Sequence, residues 1–563
     1  MNFNHYFTNQ ELDGILHGWT ETHPDLVELS SIGRSYEDRP MWLLTVTNTA
    51  TGAHDTKPAV WVDANIHATE VAGTTVALHI AHTLLTGYGA DAQITRLLDN
   101  VTYYIVPRIN PDGAELALAD VPTFLRSGTR PYPFPEKQEG IHQTDVDGNG
   151  LILQMRLEDP NGDWKVSSLD PRIMEKRGAD EQGGTYYRLL PEGMAEAWDG
   201  VNIQVAPAHR GLDFNRNFPA EWQPEGTQHG AGDYPGSEVE IRALLDFFTG
   251  HPNISVALSY HTQSGVILRP FSTKADEQME TLDLWTYQAI GQRGTDLVGY
   301  PHASVYHDFK YHPKEITVGA FDDWVFDQYG IFGFTIELWD LPGRSGIKDR
   351  KFIDWMRQHP HGDDVKIFQW LLANAGPDSI FEWQPFDHPQ LGRVEIGGLN
   401  HMYTWRNPPH AFMGEEAARN VPWALAVGEM LPKLSVHSLA VTPAGASANA
   451  ADGAYRIHLV VENGGYLPTF TSAQGQKRKA MRPVRVELDL PDGVTLVTGK
   501  AKTEMGHLEG RSNKVYAMAH FAASPTDNRT DAQWVVSGPA GAQIGVRILS
   551  DRAGSIERTV VLG

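Results

Sequence analysis

The chain has 563 residues, a formal net charge of −24 and no cysteine. Its length exceeds that of an ordinary single domain, so we expect at least two domains. The acidic charge argues against nucleic acids and anionic membranes as partners, because both bind through Lys and Arg. Without cysteine there are no disulfides or thiolate sites, so His, Asp and Glu must supply any metal ligands.

The N-terminal sequence has no basic region followed by an apolar run, so it does not predict a secretory signal. No apolar stretch approaches the length needed to cross a bilayer. We therefore expect a cytoplasmic protein, or a secreted one if a signal peptide has been removed. The sequence does not indicate an oligomeric state.

Strand-like and helix-like patterns alternate along the first part of the chain. Strand patterns cover 60–62, 103–106, 254–258 and 332–336, helical spacing covers 69–85, and a turn is expected at 110–113. Strands interleaved with helices predict an α/β sheet covered on both faces. His67, His261 and Glu337 follow three of these strands directly. Open α/β sheets bind ligands at the carboxyl ends of their strands, so a single site is expected there.

The segment His67-Ala68-Thr69-Glu70 is the first candidate metal site. The preceding strand delivers both side chains to a strand-to-helix turn, where they could reach one cation. The same spacing in His312-Pro313-Lys314-Glu315 follows no strand, so the spacing alone is weak and an ordinary polar turn is the alternative.

Residues 127–210 are polar and rich in Gly, Pro and Asp, and they predict an insertion folded over the surface. Within it, Asp145, Asp147 and Asn149 alternate and a glycine is sixth, as at the start of a calcium-binding loop. Position twelve is Arg156, where a bidentate Glu is expected. Calcium binding and a plain turn both remain open.

Three further segments join the His-x-x-Glu pair: Asp213–Phe218, Ser259–His261 and Thr335–Leu338. In this order the set resembles the zinc carboxypeptidases of the pancreatic carboxypeptidase A type, over about residues 10–375 and the helix near 415–434. The resemblance implies a mixed β-sheet flanked by helices. It also implies one zinc ion held by His67, Glu70 and His261, and with a water these form the open tetrahedral site of a catalytic zinc.

The same resemblance assigns roles to the remaining polar residues. Glu337 is then the general base, although a buried salt-bridge carboxylate is the alternative. Arg126 polarises the scissile carbonyl, with Arg130 as a near competitor. Asn215 and Arg216 clamp the terminal carboxylate of the substrate, where a guanidinium can make two parallel hydrogen bonds.

Other positions support or depart from the family pattern. Asp213 is expected to orient a ligating imidazole. Asp322 falls where the family lines the pocket for the last side chain, and a carboxylate there favours Lys or Arg. Glu315 stands near the position of the family's mobile tyrosine, so Tyr306 or Tyr311 must close the site or the site closes differently.

After about residue 433 the pattern changes. Alternating strand patterns at 456–461, 484–490, 544–549 and 558–562 predict an all-β sandwich of immunoglobulin-like size. We therefore predict a zinc carboxypeptidase-like catalytic domain over 1–433, with its insertion at about 127–210, and an accessory β-sandwich domain over 434–563.

The main functional prediction is a zinc metallocarboxypeptidase that acts on peptides with a free C-terminal carboxylate. One alternative is a zinc amidase acting on cell-wall peptides or acyl-amino acids. The other is a non-catalytic receptor for peptides or metals.

Overall fold

A computed structural model of the chain describes residues 1–310, 312, 314–446, 453–514, 518 and 523–563. Its N-terminal part is built on a mixed eight-stranded sheet. In spatial order the strands are Val27–Arg34, Pro40–Val46, Thr102–Val106, Ala59–Ala64, Ile254–Thr262, Phe332–Leu338, Val266–Arg269 and His302–Ser304. The four strands from Thr102–Val106 to Phe332–Leu338 are parallel, so their carboxyl ends lie at one edge of the sheet.

Helices pack on both faces of this sheet, because successive strand residues point to opposite sides. Val60 and Val62 join one apolar core with the helix Ala72–Gly87, whereas Trp61 joins a second core with the helix Val239–Gly250. The predicted mixed sheet flanked by helices is therefore confirmed. Further α-helices span Asn9–Thr22, Ala92–Asn100, Pro111–Ala117, Thr281–Val298, Val305–Asp308, Phe321–Tyr329, Leu341–Arg344, Phe352–Arg357, His361–Asn374 and His410–Met430. None of the described helices combines the length and the hydropathy that a membrane span requires.

The turn predicted at 110–113 is the start of a helix. The side chain of Asn110 accepts a hydrogen bond from the Gly113 N–H, and Pro111 occupies the first helical position. An Asn cap followed by Pro is a favourable helix start, so a short helix forms where the sequence suggested only a turn.

The insertion contains more regular structure than its sequence predicts. It supplies the strands Gly140–Gln143, Gln154–Glu158, Trp164–Val166, Met174–Lys176, Tyr187–Pro191 and Gly193–Glu196. Two later strands, Ile380–His388 and Gly392–Leu399, complete a six-stranded sheet with four of them. In this sheet Gly392–Leu399 pairs with Gln154–Glu158. The short strands depend on this long-range pairing, which local alternation does not show.

The C-terminal part is rich in strands, as predicted. One four-stranded sheet contains Leu434–Ala446, Gly453–Asn463, Arg529–Gly538 and Thr495–Thr498, and the other contains Lys502–Gly506, Val484–Asp489, Gln543–Ser550 and Gly554–Val561. Ile457 and Trp534 from the first sheet share one apolar core with Val486 and Val546 from the second. The helix Ala473–Arg478 packs against the N-terminal part.

Candidate metal centre and active site

Two imidazoles and one carboxylate meet at the carboxyl edge of the central sheet. His67 Nδ1 lies 2.9 Å from Glu70 Oε2, His261 Nδ1 lies 3.1 Å from the same oxygen, and the two Nδ1 atoms are 3.1 Å apart. All three residues are buried. Donors that bind one tetrahedral zinc at about 2.0–2.2 Å are roughly 3.4 Å apart, so this triangle fits a zinc ion after shifts of a few tenths of an ångström.

The chemistry of the donors also fits a cation. His67 Nε2 lies 3.1 Å from Asp213 Oδ1, and His261 Nε2 lies 3.3 Å from the hydroxyl of Ser259. A proton on each Nε2 satisfies these contacts and leaves both Nδ1 lone pairs facing each other and Glu70. Such an arrangement is repulsive unless a positive charge lies between the donors.

Opposite charges surround the centre. Arg126 Nη1 lies 3.0 Å from Glu70 Oε1, and Arg126 Nε lies 2.9 Å from Asp213 Oδ2. Burial alone would raise the pKa of Glu70, but His67, His261 and Arg126 hold it well below its usual value. Burial would also raise the pKa of Asp213, but the charges of Arg126 and Arg216 hold that pKa well below its usual value. Both carboxylates are therefore ionised at neutral pH.

Glu337 has a different protonation behaviour. It lies on the strand Phe332–Leu338, and its backbone is the register partner of His261 on the neighbouring parallel strand. Burial, with a contribution from the charge of Glu70, raises the pKa of Glu337 to about 7. Such a carboxyl group can both accept and release a proton near neutral pH.

The predicted carboxylate clamp lies on the Asp213 side of the centre. Asp213 caps a short 3₁₀ turn, Phe214–Arg216, by accepting a hydrogen bond from the Asn215 N–H. Asn215 Oδ1 in turn accepts from the Phe321 N–H at 2.8 Å, which joins the clamp to the start of the helix Phe321–Tyr329. Asp322 is buried in this region. Burial raises its pKa, and His261 and Arg216 oppose that rise.

Several candidates lie away from the centre. Arg130 pairs with Glu238 at 2.7 Å, so it is Arg126 that contacts the potential metal ligands. His312 and Glu315 are exposed, and they join no cluster of potential metal ligands among the described residues. Tyr306 packs against the Lys310 ammonium, whereas Tyr311 lies outside the described residues.

In the fold, the candidate calcium loop lies beside a carboxylate from outside its sequence motif. Buried Glu192 approaches Asp145 and Asp147 closely enough for the three carboxylates to share an ion. Asp145 accepts hydrogen bonds from the Gly148 and Gly150 N–H groups, as an ordinary turn aspartate also does. Calcium binding therefore stays a prediction.

Sequence reasoning missed two residues that contact the centre, Arg406 and Asn407, which lie late in the sequence of the N-terminal part. Arg406 Nη1 lies 3.6 Å from Glu70 Oε1. Asn407 donates to the Thr69 carbonyl and accepts from the Ala72 N–H, which fixes the turn that carries Glu70. No motif spacing marks either residue, because both lie more than 300 positions from Glu70.

Two family models match the chain. The model described as zinc carboxypeptidase matches residues 13–349, and a domain of unknown function matches residues 433–561. Carboxypeptidase A1 from Sus scrofa is 24% identical over 352 residues, which are 62% of this chain and 65% of that protein. Carboxypeptidase B2 from Rattus norvegicus is 25% identical over 359 residues, which are 61% of this chain and 65% of that protein. The chain thus spans just under two thirds of the length of these relatives.

Among solved structures, the chain is similar to that of thrombin activatable fibrinolysis inhibitor. The TM-score is 0.44 at 18% identity, and 76% of this chain and 74% of that one are covered. The zinc carboxypeptidase model covers more than half of the 563 residues. The chain therefore belongs to the zinc carboxypeptidase family.

Proposed function

We propose that the protein is a zinc metallocarboxypeptidase that hydrolyses the C-terminal peptide bond of peptides. The observation that carries this proposal is the buried triangle of His67 Nδ1, His261 Nδ1 and Glu70 Oε2, with Glu337 on the adjacent strand. These three donors would hold one zinc ion. Bound there, zinc supplies a Lewis acid that lowers the pKa of water and polarises a carbonyl group.

The protein side chains supply the proton transfer and the charge stabilisation. Glu337 accepts a proton from the attacking water and passes it to the leaving amine, a task that suits a pKa of about 7. Arg126 is partly exposed beside Glu70, so its guanidinium can donate to the oxyanion that forms on the scissile carbonyl.

The Asn215 and Arg216 clamp makes the proposed enzyme an exopeptidase. A planar guanidinium binds a carboxylate with two parallel hydrogen bonds, and the side-chain amide adds another donor. A substrate held in this way places its last peptide bond at the metal. Asp322, buried next to the clamp, favours a C-terminal Lys or Arg.

The parts outside the centre carry further proposals. The strand-rich part from residue 434 is proposed as an immunoglobulin-like accessory domain, and residues 1–433 as the catalytic domain with its insertion. The insertion loop is proposed to bind calcium through Asp145, Asp147 and Asn149, with Glu192 as a further ligand.

Replacing Glu337 by Gln tests the proposal. The variant should retain zinc and lose at least about 100-fold in kcat, because it lacks the base. Wild-type protein freed of zinc by a chelator should lose C-terminal release and recover it on zinc addition. Full activity without metal would refute the mechanism.

The two alternatives predict different outcomes. A zinc amidase would cleave muropeptides or acyl-amino acids faster than hippuryl-type dipeptides. A receptor would bind peptides without turnover, and Glu337→Gln would then leave every measurable function unchanged.

A further inference from the structure

Arg406 brings another guanidinium to the metal centre, from outside the residues that match the zinc carboxypeptidase model. Its Nη1 lies 3.6 Å from Glu70 Oε1 and 3.4 Å from the Thr262 carbonyl oxygen. The neighbouring Asn407 donates to the Thr69 carbonyl at 2.7 Å and accepts from the Ala72 N–H at 3.0 Å, so it is hydrogen-bonded on both sides of Glu70. The position of Arg406 beside the centre is therefore set by the fold.

Arg406 and Arg216 act on different carboxylates of the centre. The charge of Arg216 acts on Asp213 and Asp322, and the charge of Arg406 acts on Glu70 and Glu337. Arg126 lies between them, because it contacts both Asp213 and Glu70. If Arg216 holds the terminal carboxylate, Arg406 faces the acyl part of the substrate, before the scissile bond.

The guanidinium of Arg406 has hydrogen-bonding capacity to spare. Its Nε is buried without a hydrogen-bond partner among the described residues, and its two contacts with oxygen are long for charge-assisted bonds. The side chain is also 29% exposed, so a ligand can reach it. A carboxylate is the group that best matches such a free guanidinium face.

A groove with more cations than anions begins two residues beyond Thr262, and Arg406 is not among its lining residues. It has a volume of about 1210 Å³ and begins at Ser264 and Gly265, immediately beyond the strand end that carries Thr262. Its next residue, Val266, is a register partner of Glu337. Seven Lys and Arg side chains line the groove against five carboxylates. All four arginines already pair with carboxylates, whereas Lys348 and Lys351 have no ion pair among the described residues.

We propose that Arg406 and this groove form an acyl-side subsite that binds Asp or Glu side chains preceding the scissile bond. The subsite rests on the proposed function and specifies its substrate class, which is acidic peptides. Arg406 binds the carboxylate nearest the metal, and the groove binds those further from it.

A pair of peptides that differ only in two acidic residues tests the subsite. Acetyl-Glu-Glu-Xaa and acetyl-Gln-Gln-Xaa would carry the same C-terminal residue Xaa, and kcat/KM would be compared at two salt concentrations. Wild-type protein should prefer the Glu peptide at least about 10-fold, and the preference should shrink at high salt. In Arg406→Gln the ratio should fall toward one, and Arg406→Lys should retain part of it.

The control is Arg393→Gln. Arg393 is an exposed residue of the strand Gly392–Leu399 and does not line the groove. This variant should keep the wild-type ratio of Glu to Gln peptide. Zinc content is measured for every variant. If Arg406 had only a structural role, Arg406→Gln would lower kcat/KM equally for both peptides or reduce the amount of bound zinc. Either result would overturn the proposal.

A binding measurement separates the subsite from the proposed catalysis. Zinc-loaded Glu337→Gln protein would be titrated calorimetrically with the same two peptides, with and without the additional Arg406→Gln change. Tighter binding of the Glu peptide that disappears with Arg406→Gln supports the subsite even if wild-type protein cleaves neither peptide. Equal affinities for both peptides would overturn it, whatever the activity.

Discussion

His261 and Glu337 are register partners on neighbouring parallel strands at the carboxyl edge of the central sheet. A proposed metal ligand and the proposed base are therefore held at the same level by one backbone ladder. The rigidity of paired strands keeps the distance between the proposed metal ligand and the proposed base nearly constant, as a positioned proton transfer requires.

Replacing Arg126 by Gln should lower kcat by about 10²–10³-fold, because one donor to the oxyanion is lost. Steady-state kinetics on a hippuryl-type dipeptide would measure this decrease in kcat. Arg130→Gln is the matched control, since Arg130 pairs with Glu238 instead of the centre. If only the Arg130 variant loses activity, the two assignments are reversed.

Replacing Arg216 by Gln should chiefly raise KM for peptides that have a free C-terminus. Wild-type protein should discriminate strongly between a peptide acid and its C-terminal amide, because the guanidinium binds the carboxylate in a bidentate manner. The variant should lose most of that discrimination, and Arg216→Lys should keep an intermediate amount. An unchanged acid-to-amide ratio would contradict the clamp.

Replacing Asp213 by Asn should weaken zinc binding by about 10–100-fold, because the carboxylate fixes the His67 imidazole through Nε2. The change keeps an oxygen that can accept from the Asn215 N–H, so the local turn is preserved. Competition with a chromogenic chelator would give the zinc Kd. An unaltered Kd would show that Asp213 does not support the ligand.

Glu240 should make stability depend on pH. Burial raises the pKa of Glu240 to about 7, so the folded protein keeps this proton at a pH where the unfolded chain has lost it. Its contribution to stability is full below the unfolded pKa and is lost as pH rises through about 7. Glu240→Gln should therefore stabilise the protein by about 1–3 kcal/mol at pH 8 and have little effect near pH 4. Denaturant unfolding of both proteins at the two pH values would measure the difference. A difference that does not vary with pH would contradict the assignment.

Arg552 should couple the strand-rich C-terminal part to the N-terminal part. It is buried, and its guanidinium donates to the carbonyls of Tyr329 at 2.6 Å and Pro252 at 3.2 Å. Arg552→Met should lower the free energy of unfolding by about 2–4 kcal/mol, because buried carbonyls lose their donors. Chemical denaturation would measure this.

The control for Arg552 is Arg547→Met. Arg547 is 50% exposed and pairs with Glu487 across the surface of one sheet. Its loss should change stability by less than about 1 kcal/mol. Equal effects of the two changes would mean that Arg552 does not couple the two parts.

Local patterns in the sequence predicted much of the fold. The strand at Ile254–Thr262 was recognisable from alternating apolar residues, and four of the eight described C-terminal strands were recognisable in the same way. The strands of the insertion were not, because they are short and are completed by the distant strands Ile380–His388 and Gly392–Leu399. Pairing between distant segments leaves no periodic signal in either one.

By itself, the sequence determined the types of donor and their positions at strand ends, because His67, Glu70, His261 and Glu337 lie at or just past the ends of recognisable strands in a recognisable order. Only the tertiary structure decided that Arg126 rather than Arg130 contacts Glu70, and that Arg406 also approaches Glu70. A strand pattern reports neighbours along the chain, whereas these contacts join residues tens to hundreds of positions apart. Their distances depend on how whole elements pack, which no local spacing encodes.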